Sequence, residues 1–154
     1  MGDMGVGQIH HTGLTVSDLE RSVAFYRDML GCSETMRQER AGGYLAAIVG
    51  YPDAHVKMAH LRAPTGTHVV ELFEYVQPQG TAPHIEPATV GTAHICFLVE
   101  DLATVYDRLR EAGVTDFVSP PVEVDSGVNR GGLGLYLRDP DGLLIELFQP
   151  ASGG

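Results

Sequence analysis

His11-Thr-Gly-Leu-Thr-Val16-Ser-Asp18-Leu19 returns later in the chain as His94-Ile-Cys-Phe-Leu-Val99-Glu-Asp101-Leu102, with His, Val, Asp and Leu in the same register. The repeats start at positions 11 and 94, 83 residues apart in a chain of 154, so the sequence reads as two tandem modules. Each module also closes on a matching apolar run, Val69-Val70-Glu71-Leu72-Phe73 and Leu144-Ile145-Glu146-Leu147-Phe148. An acid in the middle of a strand meant for burial is costly unless it is paired or bound to a cation. One histidine and one such acid per module make four candidate metal ligands: His11, Glu71, His94 and Glu146.

Composition narrows the partners. Ten basic against 20 acidic residues give a net charge of −10, with no basic cluster, which argues against a nucleic-acid backbone as partner. The absence of a long apolar run argues against a membrane span, and the small, polar stretch Met1 to Gly7 does not read as a signal peptide. Cys32 and Cys96 lack CxxC spacing and read as reduced thiols of a cytoplasmic protein.

Periodicity orders the elements. Gln8 to Val16 predicts a strand, and Ser17-Asp-Leu-Glu20 fits a capping box for a helix with Leu19, Val23, Phe25, Tyr26 and Leu30 on its buried stripe, ended by Gly31. Strands are expected at 33–40, 44–49, 56–61 and 68–75. Residues 77–90, with Pro78, Pro83 and Pro87, read as a linker. The second module repeats the order. A strand at 92–99 precedes a helix at 102–112 stopped by Gly113. Strands near 117–118, 122–125, 134–138 and 143–149 follow, the last two joined by the turn Asp139-Pro-Asp-Gly142. The expectation is an α+β protein: βαβββ modules at 8–76 and 91–150, together one domain, forming a U-shaped, partly closed mixed barrel.

Strand alternation supplies geometry. Thr12, Leu14 and Val16 point under the helix, so His11 faces the other side, and the same reasoning places His94, Glu71 and Glu146 on the faces away from the helices. A cavity lined by Phe73, Phe148, Leu98 and Leu144 is expected there, with Phe73 and Phe148 as substrate contacts. Two imidazoles and two carboxylates suit Zn, Ni, Co, Mn or Fe(II) with positions left for substrate. A carboxylate in such a set can take a proton from a carbon beside a carbonyl while the ion acts as Lewis acid. Glu146 is the expected proton carrier, with Glu71 as its counterpart.

These residues resemble the vicinal oxygen chelate superfamily, which includes glyoxalase I, methylmalonyl-CoA epimerase, fosfomycin-resistance proteins and extradiol dioxygenases. The resemblance spans about residues 8 to 150. It rests on His11-Thr-Gly-Leu-Thr-Val with Asp18-Leu19 and Phe25-Tyr26, on Val70-Glu71-Leu72, on His94-Ile, and on Asp139-Pro-Asp-Gly-Leu-Leu-Ile-Glu146-Leu. It implies paired βαβββ modules and His11, Glu71, His94 and Glu146 as ligands of a divalent metal. Glyoxalase I carries an arginine and an asparagine for glutathione where this chain has Thr15 and Tyr75, which argues against a glutathione substrate. His94-Ile-Cys-Phe resembles the second-module strand of methylmalonyl-CoA epimerases, although those usually carry Gln where Glu71 stands.

The remaining histidines, His55, His60, His68 and His84, have no repeat partner and read as solvated; His10 alternates away from His11. Arg130, in the Gly-rich loop Ser126–Gly132, is the candidate for an anionic substrate group, and Gly42-Gly43-Tyr44 a candidate movable lip. The reading is a metal-dependent isomerase, epimerase or glyoxalase-like lyase acting on a small molecule, expected as a homodimer because open sheet edges need cover. The alternatives are an Fe(II) extradiol-type dioxygenase and a drug- or metabolite-binding resistance protein.

Overall fold

The histidine-bearing repeats form short strands at equivalent places in two units. The computed structural model describes residues 4–81 and 84–151; Met1, Gly2 and Asp3 of the polar N-terminal stretch and Pro83 of the expected linker lie outside the described residues. The chain divides into units Met1–Ala82 and Pro83–Gly154. The first runs β1 (His11–Thr15), α1 (Leu19–Asp28), β2 (Ser33–Ala41), α2 (Gly43–Val49), β3 (His55–Arg62) and β4 (Val69–Gln77). The second runs β5 (His94–Leu98), α3 (Leu102–Glu111), β6 (Val122–Glu123), β7 (Leu133–Arg138) and β8 (Leu144–Gln149).

Each unit holds one four-stranded mixed sheet, in order β1-β4-β3-β2 and β5-β8-β7-β6. The first and last strands of each unit are parallel neighbours, and the other pairs are antiparallel. The duplicated βαβββ pattern is therefore present, but the expected U-shaped, partly closed barrel is not. Each sheet is open, ending on β1 and β2 or on β5 and β6. Closure requires end strands to pair at a consistent tilt and stagger, and about eight strands to enclose even a side-chain-filled interior. Four strands cannot close on themselves around such a core.

Helix α1 packs on one face of the first sheet. Leu19, Val23 and Tyr26 of α1 are buried, as are Leu61, Val70 and Leu72 of the sheet. Phe25 and Leu30 of the expected stripe are only half-buried. The cap is Asp18, not Ser17: Asp18 has extended backbone (φ −147°), and its Oδ1 accepts from Arg21 N at 3.0 Å. Asp101 does the same for α3, accepting from Thr104 N at 3.0 Å. The Asp common to both repeats is thus the helix N-cap. The last strand of each unit adds a second acceptor: Glu74 Oε2 takes the Leu19 amide at 2.9 Å and Gln149 Oε1 the Leu102 amide at 2.8 Å.

Residues 44–49 form a helix rather than the expected strand. Gly-Tyr-Leu-Ala-Ala-Ile-Val is a short apolar run whose periodicity does not separate the two states. Glycines in positive-φ conformations bracket it, Gly42 at 62° before and Gly50 at 75° as left-handed C-cap. Leu45 of α2 packs with Val56, Met58, Phe73 and Tyr75. By alternation these strand residues share the face of Glu71, so α2 gives that face an apolar shoulder. At 117–118 only a single bridge, Phe117 to Leu137, replaces the expected strand.

Candidate functional site

In the first unit the parallel β1–β4 register pairs His11 with Val69 and Gly13 with Glu71. The Glu71 carboxylate meets His11 diagonally, Oε2 to Nε2 at 3.1 Å. Glu71 is buried (side chain 12% exposed), and His11 stands at the open surface (39%). The second unit reproduces this: His94 Nε2 lies 3.0 Å from Glu146 Oε2, with Cys96 in the place of Gly13.

The penultimate strands bring residues that sequence reading passed over. On β3, His60 lies directly opposite Glu71 and its Nε2 is 2.6 Å from Oε1, with the His60 ring nearly parallel to that of His11, centroids 6.5 Å apart. His60 is thus half-buried and paired rather than solvated. On β7, Tyr136 lies opposite Glu146 in the same position. Its hydroxyl donates to Oε2 at 3.4 Å, and its ring meets His94 edge-on. The usable signal was positional: His60 precedes Glu71 by 11 residues and Tyr136 precedes Glu146 by 10, a hairpin's reach. His10, read as facing away from His11, instead sets its Nδ1 2.8 Å from His11 Nδ1. That contact leaves Nε2 available as a donor atom when Nδ1 carries the ring proton, the arrangement usual for a ligating histidine.

The remaining histidines have carboxylate or hydroxyl partners of their own: His55 with Glu39, His84 with Glu86, and His68 with Thr12. Partial burial, then the Tyr136–Glu146 charge and hydrogen bond, hold the Tyr136 hydroxyl above its ordinary pKa, so it is a donor. Burial, then the Glu146 charge, push the Cys96 thiol up to about 11, which keeps it neutral and unreactive. Phe73 is half-buried on the apolar shoulder, with its ring 6.4 Å from Tyr75. Phe148 packs on Gly132, and Arg130 is exposed in the 126–132 loop with its amide on Gly127 O at 3.3 Å.

The donor chemistry of each pair fits a divalent ion. An imidazole nitrogen and a carboxylate oxygen, both ordinary ligands of such ions, stand 3.1 Å apart in one pair and 3.0 Å in the other. Each unit supplies one imidazole nitrogen and one carboxylate oxygen. Among the described residues no group of three or more His, Cys, Asp and Glu side chains is gathered for an ion.

The sequence profile of the glyoxalase/bleomycin resistance protein/dioxygenase superfamily matches residues 8–147. The chain belongs to this superfamily. It is 28% identical to an ethylmalonyl-CoA/methylmalonyl-CoA epimerase of Cereibacter sphaeroides, over 94% of this chain and 98% of that one. It is 26% identical to a 2-epi-5-epi-valiolone epimerase of an Actinomyces species, over 99% of this chain and 84% of that one. A glyoxalase family protein of Bacillus cereus shares the fold, with TM-score 0.83 at 23% identity and 99% of each chain covered. Among the described residues no helix is long and apolar enough to cross a membrane.

Proposed function

We propose that this superfamily member is a divalent-metal-dependent enzyme that moves a proton at a carbon beside a carbonyl, as an epimerase or a glyoxalase-type lyase does. The observation that carries the reading is the repeated pair, His11–Glu71 at 3.1 Å and His94–Glu146 at 3.0 Å, on the first and last strands of both units. The epimerase relatives, matched along nearly the whole chain, support the same reaction class. His11, Glu71, His94 and Glu146 are the proposed ligands, and the ion would supply Lewis acidity to the substrate's carbonyl oxygen.

The chain's own groups then divide the work. Glu146 takes and returns the proton at its carboxylate, the more exposed of the two acids at 25% against 12%. The Tyr136 hydroxyl, donating to Glu146, keeps the carboxylate turned toward His94. Phe73 and Phe148 offer apolar surface to the substrate's carbon skeleton, and Arg130 a cation to an anionic tail.

Solvent deuterium incorporation tests this directly. Acyl thioesters with an α-stereocentre and 2-oxo compounds are incubated with metal-loaded protein in heavy water. Exchange at the α-carbon that is abolished by Glu146→Gln is the expected result. Undiminished exchange in that variant removes Glu146 as the base. Product formed only with oxygen present replaces the reading by ring cleavage, and tight binding without exchange replaces it by sequestration.

A further inference from the structure

We infer that His60 is a positioning residue for Glu71, and that it makes the two carboxylates unequal. The two units agree at the first-strand histidine and the last-strand acid but differ at the residue opposite the acid: His60 in one, Tyr136 in the other. A carboxylate only accepts hydrogen bonds, so His60 Nε2 carries the proton and donates to Oε1 at 2.6 Å. The other oxygen, Oε2, then faces His11 Nε2 at 3.1 Å. Glu71 cannot turn about its terminal bond without losing the charge-assisted bond from His60.

Glu146 is held differently. His94 at 3.0 Å and the Tyr136 hydroxyl at 3.4 Å both address the same oxygen, Oε2, and the Cys96 thiol on the neighbouring strand adds only a weak donor. Both contacts are longer than the His60–Glu71 bond, and the carboxylate is more exposed. His60 therefore fixes one acid as a static donor, while the pairing around the other leaves it freer to turn. The functional consequence rests on the proposed metal-dependent proton transfer: Glu71 holds and Glu146 moves. The positioning itself is a property of the first unit alone.

The test compares His60→Leu with His60→Gln, whose amide can still donate to Oε1. Cobalt(II) is titrated into the metal-free full chain, reading affinity and the visible absorption band, and each variant's crystal structure is determined. His60→Leu is expected to weaken cobalt binding roughly 10- to 100-fold and to shift the band, with His60→Gln restoring most of both. His60→Asn, too short to reach Oε1, gives the same comparison should the Leu variant fail to fold. Wild-type affinity and band in His60→Leu or His60→Asn overturn the inference. Should the wild-type chain bind no cobalt, the metal-dependent reading fails while the positioning is still decided: Glu71 Oε2 leaving His11 in the variant crystals supports it, and an unmoved carboxylate overturns it.

Discussion

His94 and Glu146 are diagonal neighbours: β5 pairs His94 with Leu144 and Cys96 with Glu146, yet Nε2 and Oε2 lie 3.0 Å apart. The parallel register offsets the two residues by one pleat on the same sheet face, and the glutamate's length spans it. An alanine at either position removes one donor and leaves the backbone pairing untouched.

His94→Ala is accordingly expected to lower bound metal strongly while the chain unfolds within about 1 kcal/mol of wild type, since the His94 side chain is 43% exposed. Metal analysis of the purified protein and denaturant unfolding check it.

Helix capping gives a second expectation. Asp18→Ala and Asp101→Ala each remove an acceptor from a first-turn amide and are expected to cost about 1 kcal/mol apiece. Ser17→Ala, which leaves both α1 cap acceptors in place, is expected to stay within about 0.5 kcal/mol. Urea midpoints of the three variants separate the two capping assignments.

Gly132→Ala is expected to be destabilising although the change adds only a methyl. A Cβ there would lie 2.8 Å from Gln149 O and 2.9 Å from the Phe148 ring. Backbone cannot swing aside as a flexible side chain can, so a loss of about 1–3 kcal/mol is expected. Phe148 must shift with it, so a substrate contact there would show as a raised KM.

Cys32 predicts a pH effect. Burial pushes its thiol up to about 11 from 9.0, so the folded state holds the proton more tightly than the unfolded chain. Its stabilising contribution is fully present below about pH 9 and is lost as pH rises toward 11. Wild type is expected to lose more stability between pH 8 and pH 11 than Cys32→Ala does, by chemical unfolding at both values. Equal losses reject the assignment.

Much of this was legible in the sequence because it is local. The repeat placed a histidine strand and an acid strand in each half, and in the first unit Leu61, Val70 and Leu72 are buried on the face opposite Glu71, as alternation requires, although α2 packs on the Glu71 face. The shared Asp was visible too, but a generic capping box drew the assignment one residue early, to Ser17. The run 44–49 misled because six apolar residues carry no period that separates helix from strand. Glycine conformation and packing on Phe73 and Tyr75 decided it.

What the sequence by itself determined is the duplication, the helix-facing and open faces of the strands, and the chemistry of the acids and histidines. Side-chain direction repeats every two residues along one strand and needs no partner. Only the tertiary structure decided that β1 lies beside β4, bringing His11 to Glu71, that β3 lies on the other side of β4, bringing His60 to the second oxygen, and that each sheet stays open. Strand neighbours and register are set by pairing between segments tens of residues apart, and a one-residue slip would turn His60 to the opposite face.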